Sequence, residues 1–205
     1  MPNWVYNKVY FRGDSKRLDE LKNFVKTEER EFDFNKIIPM PESLNIESSS
    51  RETIATACAR AKRAGKNTCE EFEKYYDHEK SFDEWAEMGE IYLTNFEKYG
   101  ATTWYDWSWN NWGTKWNACD VEWIDDNEVE FNTAWNAPEP IYYKLAELFP
   151  DIKFDVEFAD EDIGSNCGTV TYDGDSVYVE YVNDFEFACG VWGYDPEELR
   201  EEYEQ

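Results

Sequence analysis

The chain has 205 residues, with 46 Asp and Glu against 20 Lys and Arg and a formal charge of −26. That length suits one well-packed domain, or a small domain carrying a large insertion, and is short for two independent enzyme domains. A charge this negative argues against a general binder of nucleic acid or of anionic membranes.

Leu, Ile, Val and Phe together make only 40 of the 205 residues, close to the ~20% below which a highly charged chain is suspected of disorder. Ten Trp and 14 Tyr reverse that suspicion, because each buried aromatic removes roughly 150–250 Å² from water. No stretch approaches 18 apolar residues, so no membrane span is expected. Met1-Pro2-Asn3-Trp4 has neither a basic nor an apolar run, which argues against an ordinary secretory signal. The five cysteines (58, 69, 119, 167, 189) are odd in number and widely spaced. They imply no disulfide scaffold, zinc site or iron–sulfur cluster, and a reduced, cytoplasmic setting. His78 is the sole histidine and reads as an exposed helix residue, so no His-based triad is in view. No catalytic residue, metal or cofactor is expected, and a non-enzymatic role is favoured.

Charge divides the chain unevenly. Residues 1–68 hold 13 bases and 10 acids, residues 69–150 hold 5 and 19, and residues 151–205 hold 2 and 17. The acidity therefore belongs to the C-terminal two thirds.

Trp4 to Arg12 alternates, with Val5, Val9 and Phe11 against Trp4, Tyr6, Lys8 and Tyr10, and reads as a first strand. Asp14 or Ser15 offers an N-cap, and Leu18, Leu21, Phe24 and Val25 recur at helical spacing. Phe32 to Ile38 reads extended, stopped by Pro39 and Pro41. Residues 50–100 read as a helical insertion, with an Ala-rich run ended by Gly65 and acidic segments holding Phe72, Tyr75, Tyr76, Phe82, Trp85 and Phe96. Residues 116–134 form a hairpin around Asp125-Asp126-Asn127, and Pro138-Glu139-Pro140 opens a helix that Pro150 closes. Ile152 to Phe158 alternates as a strand. Thr169 to Tyr172 and Ser176 to Val182 flank the hairpin turn Asp173-Gly174-Asp175, and residues 195–205 make a short acidic helix. This order predicts a single α+β domain over residues 1–205, an antiparallel sheet with helices on one face and an added C-terminal hairpin.

Four blocks carry a resemblance: Met1-Pro2-Asn3-Trp4 with Asn7 and Gly13-Asp14; Phe34 to Pro41; Asn111-Trp112-Gly113-Thr114-Lys115-Trp116-Asn117; and Thr133-Ala134-Trp135 followed by Pro138. In this order, over roughly residues 1–160, they look like the YubB-type, ferredoxin-like proteins of phages and plasmids. The resemblance implies a ferredoxin-like split β-α-β sheet and a gene carried on mobile elements, and it implies no activity. The chain departs at Asn136-Ala137, where relatives commonly have Ser-Pro, and in its helical insertion and acidic tail.

Candidate sites each have two readings. Trp104, Tyr105, Trp107, Trp109, Trp112 and Trp116 crowd among Asn110, Asn111, Gly113 and Lys115. They are either a recognition surface, with Trp anchors and Asn hydrogen bonds, or an irregular loop folded into the core. A pocket lined by Trp107, Trp112, Lys115 and Trp135 would make a small-ligand binder or an enzyme of segment 104–117. Lys115 is either a partner for a buried acid or an anion contact, and the Walker spacing is absent around it. Asp160, Glu161 and Asp162, with Asp155 or Glu157, invite a magnesium reading or a solvated-loop reading. The acidity is either solubilising or used. Used, it lets an acidic face with aromatic anchors occupy the cationic groove of a nucleic-acid-binding protein. The leading expectation is a phage- or plasmid-type accessory protein in a bacterial host's cytoplasm. It would bind a basic protein, inhibit a host defence or DNA-handling protein, and touch neither nucleic acid nor membrane directly.

Overall fold

The computed structural model describes residues 2–74 and 80–203. In chain order its elements are β1 (Trp4–Arg12), α1 (Ser15–Val25), α2 (Phe34–Ile37), α3 (Arg51–Arg63), α4 (Glu70–Lys74), α5 (Phe82–Tyr99), α6 (Trp104–Trp112), β2 (Cys119–Trp123), β3 (Glu128–Ala134), α7 (Glu139–Leu148), β4 (Lys153–Asp160), β5 (Cys167–Asp173), β6 (Ser176–Tyr181), α8 (Phe185–Trp192) and α9 (Pro196–Tyr203). They fall into two compact units, Met1–Pro39 with Asn111–Gln205, and Met40–Asn110. The second is longer at each end than the stretch 50–100 that the helical signals mark out.

In the first unit the sheet order is β2-β3-β1-β4-β5-β6, with every neighbour antiparallel. β3 lies between β1 and β2, the strands joined across the α1 crossover, and α7 leads from β3 to β4 on the far side of β1. This is the split β-α-β, ferredoxin-like topology, an α+β fold extended by the β5–β6 hairpin. Strict alternation drives it: Val5, Asn7, Val9 and Phe11 on β1 are buried, while Trp4, Tyr6, Lys8 and Tyr10 face the other way, only half-buried. The Asp14 side chain caps α1 by accepting from the Lys16 N–H, and Leu21 and Val25 turn inward. α7 buries Ile141, Tyr142 and Leu145. The core is largely aromatic, with Phe154 stacked on Tyr172 at 4.6 Å and Phe131 on Phe32 at 5.2 Å.

Three segments differ from expectation. Phe32 to Ile38 is not extended throughout, because α2 occupies Phe34–Ile37. The Asp33 carboxylate accepts from the Asn35 N–H at 2.9 Å, and Phe34 and Ile37, three apart, bury the same side. Residues 104–112 form helix α6 rather than an irregular loop. α8 was not foreseen: Asp184 caps it by accepting from the Phe187 N–H at 2.8 Å, Gly193 at φ +75° ends it, and Ala188, Cys189 and Val191 are buried.

In the second unit α3 packs on α5, with Ile54, Ala55 and Cys58 against Phe82, Trp85, Ala86 and Tyr92. Ser81 and Glu84 form a reciprocal capping box at the start of α5. Arg63 of α3 clamps Glu90 and Glu97 of α5, each at 2.7 Å. His78, Tyr75 and Tyr76 lie outside the described residues.

Candidate functional site: an acidic open sheet face

Alternation buries one side of β1, β3, β4 and β5 and presents the other, and the register across the sheet lines up what is presented. Glu122 of β2 pairs with Glu130 of β3, Glu130 with Lys8 of β1, Lys8 with Glu157 of β4, Glu157 with Thr169 of β5, and Thr169 with Glu180 of β6. One row thus crosses all six strands with four carboxylates and one amine. The next row carries Glu128, Tyr10, Asp155, Thr171 and Tyr178. Neighbouring strands lie about 4.8 Å apart, and alternate residues along a strand about 6.7 Å, so these six acids form one contiguous face. Three cations share it: Lys8 Nζ is 3.3 Å from Glu130, Arg12 pairs with Asp155, and Lys153 Nζ is 3.1 Å from Asp173. Beyond Tyr6 the face is roofed by α8, where Ala159, Cys167, Ala188 and Val191 cluster and Trp192 packs on Tyr6 at 5.0 Å.

The crowding alters protonation. Partial burial, and then the negative field of Glu130, raise the Glu128 carboxyl above its ordinary value, with Tyr10 and Lys8 opposing. Tyr6 donates to Glu130 at 2.7 Å, and burial plus that bond push its phenol upward. Burial and Glu157 do the same to Tyr10.

A carboxyl raised on folding binds a proton more tightly in the native state, so its charged form opposes folding. Its penalty is absent below the ordinary carboxyl range and fully present above the raised value. Glu128→Gln should therefore raise stability by about 0.5 kcal/mol or less at neutral pH. It should also remove part of the loss expected as pH rises from below the ordinary carboxyl range to neutral. Urea titrations at those pH values test this, and a variant with the parent's pH slope would refute it.

The residues singled out by sequence fall in both units. Trp107 and Trp109 lie on α6 in the second unit, Trp107 buried and Trp109 half-buried. Asn111 and Trp112 belong to the first unit. The Trp112 ring is in the core, its Nε1–H donating to the Ile38 carbonyl at 2.9 Å and its edge on Phe34. Lys115 sits between two rings, 4.5 Å from the Trp116 centroid and 4.9 Å from that of Trp135. Thr114 donates to the Ala134 carbonyl at 2.8 Å, tying this loop to the end of β3. The nearby cavity of about 320 Å³ is bordered by Gly113, Asn136, Ala137, Pro140 and others, and by none of Trp107, Trp112, Lys115 or Trp135.

Asp160 is 6% exposed and organises its own loop, accepting from Asn3 at 3.1 Å and from the Asp162 N–H at 2.9 Å. Asp155 and Glu157, weighed beside it, lie on the opposite face of β4. Among the described residues no group of three or more His, Cys, Asp or Glu side chains is placed to hold a metal ion. Glu122, Glu128, Glu130 and Glu180 were missed, although their signal was present: acids out of phase with Val121, Val129, Phe131 and Val179.

Residues 111–204 match the family model described as the ferredoxin-like domain in Api92-like protein. The crystal structure of protein api92 from Yersinia pseudotuberculosis is similar, with 10% sequence identity and a TM-score of 0.46, over 89% of this chain and 99% of that one. No curated protein matches.

Proposed function

We propose that this protein acts by binding a basic macromolecule through the open face of its sheet, the partner being a nucleic-acid-binding protein whose cationic groove accepts the carboxylates in place of phosphates. The row Glu122, Glu130, Glu157, Glu180, interrupted only by Lys8 and Thr169, carries the reading. Such a face supplies steering as well as contact, because like charges arrayed on one surface raise the encounter rate with a cationic partner. The YubB-type resemblance adds the setting, a phage- or plasmid-type accessory protein acting on a host defence or DNA-handling protein. The rival reading, a small-ligand or enzyme pocket in segment 104–117, has less support, since Trp112 is committed to the core.

Reversing two acids of the row, Glu130→Lys with Glu157→Lys, should weaken capture of the basic partner by roughly tenfold or more at low salt. Reversing Glu70 and Glu71 of α4, which makes the same change in net charge, should have little effect. The measurement is affinity purification from a bacterial lysate at low and moderate ionic strength, where screening should release the partner. Equal losses from the two pairs would show that bulk charge, not this face, does the binding.

A further inference from the structure

The two sheet edges are built differently. β2 shifts register between Cys119 and Glu122, holds Asp120 at φ +50°, and carries acids on its exposed positions, devices that prevent pairing with another strand. β6 has neither the register shift nor a left-handed residue, and carries a single acid, Glu180. It runs in unbroken register against β5, contains no Pro, Lys or Arg, and is rich in strand formers, with Tyr178 65% and Tyr181 58% exposed. The two-residue turn Gly174-Asp175, with Gly174 at φ +59°, makes Asp173 and Ser176 a hydrogen-bonded pair. Ser176, Tyr178 and Glu180 therefore turn their backbone groups toward β5, as does Val182, whose N–H donates to the Cys167 carbonyl at 3.0 Å. Val177, Val179 and Tyr181 turn theirs outward.

The side chains of those same three residues point to the helix-covered side, and a cavity lies at each end of the set. One, of about 320 Å³, is bordered by Tyr181, Phe158 and the Glu139 carboxylate. The other, of about 360 Å³, is bordered by Val177, Tyr143, Glu147 and Asp175. Val177 and Tyr181 are four residues apart, roughly 13 Å along a strand. A strand laid beside β6 would set two of its own side chains, also four apart, over these cavities. Rings would line the stems and carboxylates would meet the tips, which is the chemistry that takes Lys or Arg.

We infer that β6 is completed by an extended basic segment of the partner, paired antiparallel as a seventh strand, with Lys or Arg four residues apart seated in the two cavities. Antiparallel pairing continues the pattern of the whole sheet. A charge of −26 sets a second copy of the chain against this edge. The inference rests on the basic-partner reading above and gives that partner a form.

The test uses a capped nonapeptide of alternating valine and threonine with lysines at its third and seventh positions, fluorescently labelled and titrated against the full chain at low salt. N-methylation of the third, fifth and seventh residues, whose N–H groups would face β6, should weaken binding at least tenfold. N-methylation of the fourth and sixth, which would face away, should leave it unchanged. Glu139→Gln should weaken it severalfold, and the amides of Val177, Val179 and Tyr181 should exchange more slowly in the complex. Equal binding of both methylated peptides would overturn the strand pairing while leaving the acidic-face reading intact, as would no binding of the parent peptide. Binding that ignores replacement of the lysines by norleucine would overturn the charge requirement. A concentration-dependent dimer abolished by Val179→Pro would assign the edge to a second copy and overturn the inference. If the Glu130→Lys, Glu157→Lys pair leaves lysate capture untouched while the peptide still binds as expected, the face reading fails and the edge stands.

Discussion

Gly89→Ala should destabilise the unit of residues 40–110 by about 3 kcal/mol or more, against the sign that helix propensity alone gives. In an exposed helix interior, alanine is better than glycine by about 1 kcal/mol. Gly89 lies on α5 where that helix meets α3, and a Cβ placed there would stand 1.9 Å from the Ala55 carbonyl oxygen, 2.4 Å from its carbon and 2.9 Å from the Ala59 Cβ. The obstacle is backbone, which cannot swing aside as a side chain can, so the two helices must part. Parting them unpacks Ile54, Cys58, Trp85 and Tyr92 together, and overpacking of this kind costs ~1–3 kcal/mol and occasionally more. Gly65→Ala makes the contrast. Nothing lies within 4 Å of its Cβ position, but its φ of +73° is left-handed, so the cost is the local strain of about 1 kcal/mol alone. Thermal unfolding together with amide exchange in α3 and α5 measures both. A Gly89→Ala protein as stable as the parent would mean that the helices do not approach this closely.

Legibility in the sequence followed the length over which a pattern repeats. β1, β4 and the β5–β6 hairpin each carry several alternations or a turn whose residues dictate the geometry, and α1 and α7 have a cap or prolines with apolar residues at helical spacing. α2 is too short for any period to register, and only the Asp33 cap betrays it. α8 buries Ala188 and Cys189, small residues that lend little weight to an amphipathic pattern, and its opening Phe185-Glu186-Phe187 alternates like a strand. The acidic face went unread for a different reason. Composition draws attention to runs, such as the tryptophans of 104–116 or Asp160-Glu161-Asp162, and runs put successive side chains on different sides. The acids of the face come instead from four strands, one or two from each and unremarkable alone, and Lys8 meets Glu157 only through long-range pairing. The charge tally had placed the acidity in the C-terminal two thirds. It was right about the carboxylates and blind to β1, the strand between β3 and β4 that contributes Lys8 to their row.

Asn7→Leu should cost about 3–4 kcal/mol, although it replaces a polar side chain with an apolar one at a fully buried position. Asn7 is completely enclosed on β1, and both the nitrogen and the oxygen of its amide are hydrogen-bonded. Nδ2 donates to the Val5 carbonyl at 2.8 Å, to Thr133 Oγ1 at 2.9 Å and to the Phe131 carbonyl at 3.3 Å, while Oδ1 accepts from the Tyr142 hydroxyl at 2.9 Å. The side chain thereby joins β1, β3 and α7 at the centre of the sheet. Leucine would leave the Tyr142 hydroxyl without its acceptor in a site that excludes water, and each such orphan costs ~1–3 kcal/mol. Burial already drives the Tyr142 phenol well above its ordinary value, so it cannot escape by ionising. Tyr142→Phe alone removes one donor and leaves Asn7 Oδ1 unpaired, for ~1–2 kcal/mol. The double variant should then lose less than the two singles together, by about 1 kcal/mol or more, because the orphaned hydroxyl is gone. Urea denaturation of the four proteins in the cycle gives that coupling directly. Strict additivity would show that Asn7 and Tyr142 do not share a bond, and that β1 and α7 are held by ring packing alone.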